Sequence, residues 1–245
     1  MSAGWTLALT GWSAWASGVE TPAQWRDWAA GALAVGDPAQ VPALAFIPAL
    51  QRRRFSRLSR LQLQVAYDCA AGNHGLRTIF CSRHGEIHRT HGLLAELAQG
   101  EPLSPMAFSL SVHNTGSGLY SIASGNTAPS TALAAGRDTL TMALLEAAGQ
   151  LHAVDEEVMV VFADEPLPDD YAPFADEDTV PYGVALRLAR AQPGAVQLHL
   201  QRQMGNPAGV TTESAGLSLL RLLAVGRGSA TVSGERGYWL WSVQP

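Results

Sequence analysis

Residues 107–149 read AFSLSVHNTGSGLYSIASGNTAPSTALAAGRDTLTMALLEAAG. A Gly-rich approach leads into Ala128-Pro129-Ser130, then a run of small residues, then an Ala- and Leu-rich segment. The pattern predicts a short strand over 131–135 and a buried helix over 138–151. Strand therefore meets helix at Ala134-Ala135-Gly136-Arg137-Asp138-Thr139. The first turn of a helix lowers the pKa of a thiol placed there through its unpaired N–H groups and dipole. This corner carries no Cys, and its central residue, Arg137, cannot be deprotonated and is no nucleophile.

Outward from the corner, strands and helices alternate. Residues 5–12 (WTLALTGW) predict a first strand. Thr21-Pro22 opens a helix through Trp25 and Trp28 to Gly31, with Thr as N-cap and Pro in the first turn. Pro38, Pro42 and Pro48 make 35–50 a connector. Over 51–71, Phe55, Leu58, Leu61, Val65 and Cys69 keep a helical period, and Arg52, Arg53, Arg54, Arg57 and Arg60 crowd the first half. Further predictions are a strand over 77–82, a helix over 87–99, an apolar strand over 157–163 and an acidic, Pro-rich loop over 164–181. The chain then closes with a hairpin of 183–189 and 195–201, a helix over 211–225, and a strand pair of 229–233 and 238–243. The alternation predicts an α/β protein with a mixed, mostly parallel sheet covered by helices on both faces.

Of 245 residues, 47% are hydrophobic, enough for a sizeable core. A net charge of −5 gives no reason to expect a nucleic-acid partner. No run reaches the ~18 apolar residues of a membrane span. The start lacks the basic region of a secretory signal, and Cys69 and Cys81 are expected as reduced, buried thiols. A cytoplasmic protein without cofactor is expected.

These segments together resemble the β-ketoacyl synthases. The likeness covers most of residues 5–190: the first strand and helix, the Arg-rich helix, 108–149, and the strand over 158–165. Within that family the chain more closely resembles short, ketosynthase-like chain length factors of aryl polyene pathways. The marks are Ser82-Arg83-His84-Gly85-Glu86, Ser111-Val112-His113-Asn114, Asp164-Glu165-Pro166-Leu167-Pro168 and the Trp239-Leu240-Trp241 ending. The resemblance implies a truncated thiolase-like fold. Residues 1–245 would form one ketosynthase-like domain, with the N-terminal half over 1–200 and a remnant helix and strand pair over 201–245.

Decarboxylative condensation needs a thiolate to hold the acyl chain and polar donors, usually His, to stabilise the enolate. The resemblance places Arg137, flanked by Gly136 and Asp138, where the family carries Cys. By the same resemblance, the family's catalytic histidines lie in a second half that this chain is expected to lack. The resemblance therefore implies a non-catalytic subunit that pairs with a catalytic ketosynthase, as a heterodimer or a doubled heterotetramer, and limits acyl length. By the same resemblance the interface is Ser130, Thr131, Ala132, Leu133, Ala134 and Ala135. The tunnel wall is Phe108, Leu110, Leu119 and Tyr120. Arg52, Arg53, Arg54 and Arg57 would dock an acyl carrier protein.

Other chemistry is open to the same residues. His113 and Ser117 could serve an acyltransferase or serine hydrolase, although Gly116-Ser117-Gly118 lacks the full nucleophile elbow. The Arg cluster could instead belong to a stand-alone carrier-binding module. His84, His88 and His91 have metal-ligand spacing but no CxxC or HExxH frame, so no metal site is expected. Arg137 and Asp138 could pair locally and plug the corner, or Asp138 could cap the helix.

Overall fold

The computed structural model describes residues 4–153, 157–205 and 212–245. Strand β1 (Gly4–Ala16) is followed by helices α1 (Pro22–Ala29), α2 (Ala49–Arg52) and α3 (Arg57–Ala70). Strand β2 (Arg77–Cys81) leads into α4 (Ile87–Ala98), α5 (Pro105–Ser109) and α6 (Thr115–Ser124). Then come β3 (Ser130–Leu133), α7 (Thr139–Ala153), β4 (Val158–Asp164), β5 (Tyr182–Arg190) and β6 (Gln197–Gln203). The chain closes with α8 (Ala215–Val225), β7 (Gly228–Gly234) and β8 (Gly237–Gln244).

All eight strands form one mixed sheet in the order β3-β2-β4-β5-β1-β6-β8-β7. The α/β class and the mixed sheet are as expected, but the parallel share is smaller. Among the described residues, β2–β3 and β2–β4 are the parallel strand pairs, and the other five pairings are antiparallel. The cause lies after β4. Parallel return needs a helical crossover, and 165–181 supplies only a loop with a short 3-10 turn, so β5 runs back antiparallel. The expected hairpin of β5 and β6 is also corrected. The long β1 lies between them and pairs with both, because its 13 residues reach past each.

Strand β4 shows how the sequence fills the layers. All seven of its residues are buried. Val158, Val160 and Phe162 pack with α7 residues Leu140, Ala143, Leu144 and Ala147 on one face. Met159, Val161 and Ala163 pack with Leu58, Leu61, Val65 and Ala66 of α3 on the other. Period-two alternation sends each set to its own helix. Each fully buried Leu or Val contributes ~2 kcal/mol. Helix α3 comes so close to β5 that a Cβ on Gly183 would sit 3.2 Å from the Leu61 carbonyl oxygen, so only glycine fits without displacement. Trp239 and Trp241 both point inward and are buried, as their spacing implies.

The helix over 51–71 is split. The chain breaks at 53–56, and α3 starts afresh with Ser56 as N-cap, its Oγ accepting the Ser59 N–H at 3.0 Å. Thr21 caps α1 as expected, and Gln24 completes a capping box with it that was not foreseen. No helix among the described residues is long and apolar enough to cross a membrane.

Candidate functional site

The corner between β3 and α7 is closed from inside. Gly136–Asp138 form a 3-10 turn before α7. Gly136 has φ +56°, and a Cβ there would fall 2.2 Å from Oε1 of Glu235. Glu235 belongs to the two-residue turn joining β7 to β8, and it accepts the Arg137 backbone N–H at 3.0 Å. Asp138 accepts the Trp239 indole N–H at 2.9 Å and the Glu235 backbone N–H at 3.2 Å. Thr139 Oγ1 accepts the Ala135 N–H at 2.9 Å and donates to the Gly136 carbonyl. A carboxylate therefore already holds a donor that a helix start would offer to a thiolate.

The Arg137 side chain turns away from Asp138. Its Nε donates to Asp176 at 2.8 Å, and a terminal nitrogen lies 2.7 Å from the same oxygen. The local Arg137–Asp138 pair is thus replaced by a longer-range one, and Asp138 caps nothing in α7, since both its oxygens serve the β7–β8 hairpin. Arg83 also binds Asp176 at 2.7 Å and reaches Glu177 at 3.2 Å. Hydrogen bonding from Arg83, then from Arg137, holds the Asp176 carboxyl down at about 2.

Behind the pair, Asp164 is buried and accepts the Ser82 hydroxyl at 3.2 Å and the Arg83 N–H at 3.3 Å. Loss of water, and then the nearby Glu177, push its carboxyl up to about 8. A cavity of about 140 Å³ beside Arg137 is lined by Asp176, Glu177, Glu213, Val232 and Ser233. A second, of about 380 Å³, opens between the end of β4 and the acidic loop. Both cysteines are buried and unbonded to each other, and burial pushes the Cys69 thiol up to about 12. Neither offers a thiolate.

The residues expected at the surface divide. Strand β3 is a sheet edge, paired among the described residues with β2 alone. Ser130, Ala132 and Ala134 are exposed, while Thr131, Leu133 and Ala135 are partly buried. Phe108 is 63% exposed. Leu110 and Leu119 line a groove of about 260 Å³ with Phe55, Met106 and Ile122. Tyr120 is not on it: its ring is buried against Phe80, because the helix turns it toward α3.

Among the arginines, Arg52 donates to the Ala43 carbonyl and Arg57 pairs with Glu165. Arg53 and Arg54 are exposed. His113 Nε2 lies 3.0 Å from the Ser82 carbonyl, and Ser117 donates to the Asn114 carbonyl. The two do not bond each other, so the geometry gives no support to a serine nucleophile. His88 meets the Pro166 carbonyl at 2.8 Å, His91 meets Asp170 at 2.7 Å, and His84 lies before α4.

Sequence reading missed Asp176 and Glu235, and it put Ile122 at the end of the wall stretch 108–122 without singling it out. The charge of the first two was visible, but each acts on a residue 39 or 98 positions away. Ile122 is 80% exposed on α6, a helix that its glycines and serines hid.

Residues 25–242 match the family model described as the β-ketoacyl synthase N-terminal domain. The chain belongs to the β-ketoacyl synthase family. No curated protein matches it. Among solved structures, it is similar to a chain in the complex of a ketosynthase with its chain length factor from Xenorhabdus doucetiae. That match has 29% identity and a TM-score of 0.83, over 97% of this chain and 99% of that one. It shares its fold with the ishigamide ketosynthase/chain length factor, at 14% identity and TM-score 0.70, over 98% of this chain and 99% of that one. The ketosynthase from module 1 of the bacillaene synthase of Bacillus amyloliquefaciens FZB42 aligns at 11% identity and TM-score 0.59. There 90% of this chain covers only 56% of the longer one. The thiolase-like fold is therefore present in shortened form, as expected.

Proposed function

We propose that this protein is a non-catalytic chain length factor. It completes a heterodimer with a catalytic ketosynthase and sets acyl or polyene length in aryl polyene or polyketide/fatty-acid-type synthesis. The observation that supports the reading is the α7 corner, where Arg137, at the position that the resemblance gives to the family's Cys, is tied to Asp176 and Glu235. The chain length factor complex that the chain resembles over nearly its whole length supports it. On this reading residues 1–245 are one ketosynthase-like domain acting in the cytoplasm.

The subunit acts through shape. The open edge of β3 offers backbone donors and acceptors to an edge strand of the ketosynthase, and the exposed Ala132 and Ala134 let the strands approach. The apolar groove of α5 and α6, with Phe108 beside it, would meet the end of the growing acyl chain. Arg53 and Arg54 are the arginines best placed to meet an acidic carrier protein, because Arg52 and Arg57 hold the fold.

Co-expression with a ketosynthase tests the proposal. A stable 1:1 complex is expected, with acyl thioester on the ketosynthase alone by intact mass. Replacing Phe108 by Ala should lengthen the product distribution. A covalent acyl group on this chain, formed without the partner, would overturn it.

A further inference from the structure

The sheet has two free edges, and only β3 enters the proposal above. The other is β7, which among the described residues pairs with β8 and with no other strand. Natural edges avoid chance pairing through Lys, Pro, bulges or inward-pointing charges. The strand, GSATVSG, has none of these, and its register with β8 is continuous from Gly228 to Gly234. Among the described residues, no strand occupies its outer ladder.

The flanking charges are self-complementary. Arg227 precedes the strand and Glu235 follows it, each four residues from Thr231. In an antiparallel pairing of two copies centred on Thr231, Arg227 of each copy lies opposite Glu235 of the other. Ser229 then faces Ser233, and Thr231 faces itself. Alternation puts Ser229, Thr231 and Ser233 on one face of the strand, away from Val232, which is buried in the core with Ala230 packed beside it, while Arg227 and Glu235 stand just outside the strand at its two ends. The new contact is thus a polar stripe bounded by two opposite-charge pairs, the arrangement that stabilises cross-strand neighbours. Arg227 and Glu235 are both exposed. Oε1 of Glu235 takes the Arg137 N–H, and Oε2 has no partner among the described residues.

We propose that β7 is a second assembly surface, at which two copies of this chain join edge to edge about a two-fold axis. The partner is a second copy because the strand's own flanks supply the complementary charges, as an isologous contact requires. The inference stands whether or not β3 meets a ketosynthase. If it does, the heterodimer doubles through this subunit.

Sedimentation velocity of the full-length chain across a concentration series tests it. A monomer–dimer equilibrium is expected. R227E should weaken it about tenfold, since two symmetry-related pairs turn repulsive at once. The double variant R227E/E235R should restore it, which loss of folding could not do. Hydrogen exchange should slow at the 229–233 amides as the dimer forms. Ala132→Pro, which blocks the β3 edge, should leave the dimer intact. A chain that stays monomeric, a dimer indifferent to R227E, a double variant no better than R227E, or a dimer abolished by Ala132→Pro would each overturn the proposal. Capture of a different protein by β7 with no self-association would do the same.

Discussion

The α7 corner and the face made by β3, α5 and α6 lie at opposite extremes of completion. At the corner, every side chain from Arg137 to Thr139 has a partner in this chain. On the face, Phe108 and Ile122 stand 63% and 80% exposed, and the edge of β3 is unpaired. A catalytic pocket keeps reactive groups free and ready. Here charges fixed in pairs fill that place, while the unfinished bonding lies where another subunit would sit. On the function proposed above, the contrast assigns the protein's work to its surface.

That contrast is most exposed to refutation at β3. Ala134→Trp should abolish the heterodimer, because a large ring prevents close strand approach. Gel filtration with the partner reads this, and an unchanged elution volume would remove β3 from the interface. Ile122→Asp should weaken the complex by about 2 kcal/mol while leaving the thermal midpoint of the isolated chain unmoved, as expected for an interface anchor. Equal losses of stability and binding would place Ile122 in the fold instead.

At the corner, Asp138→Ala should cost about 2 kcal/mol in urea unfolding, since the Trp239 indole N–H and the Glu235 N–H lose their acceptor. A loss below about 0.5 kcal/mol would mean that the hairpin does not brace the corner.

Asp164 gives a pH signature. Its folded value of about 8 lies above the ordinary 3.8, so the folded state holds the proton more tightly than the unfolded chain. Stability from this group is full below about pH 4, falls as pH rises toward 8, and is level above. The stability advantage of Asp164→Asn over the natural chain should grow across that window. An advantage constant with pH would show that burial does not govern this carboxyl.

The smallest expected effect is none. Arg137→Cys should give no malonyl-dependent elongation by this chain alone, because a thiol without enolate-stabilising partners lacks half the machinery. Measurable turnover would erase the contrast between corner and face.

Much of the fold was legible because it is local. Thr21 caps α1 with Pro22 in its first turn, and the alternation in β4 divides its side chains between two helices. The break at 53–56 was hidden, because Arg-rich segments suit helix and loop alike. Helix α6 was hidden by glycines that favour turns. The insertion of β1 between β5 and β6 was hidden too, since pairing partners distant in sequence leave no periodic trace.

By itself, the sequence determined the α/β class, the position of the strand-to-helix corner and the absence of a Cys from it. Each of these is a matter of residue type and short-range period. Only the tertiary structure decided that Arg137 reaches across to Asp176, that Glu235 closes the turn from another hairpin, and that β3 and β7 are the edges left bare. Those outcomes depend on which distant segments share space, and that is fixed by packing of the whole sheet and its helices.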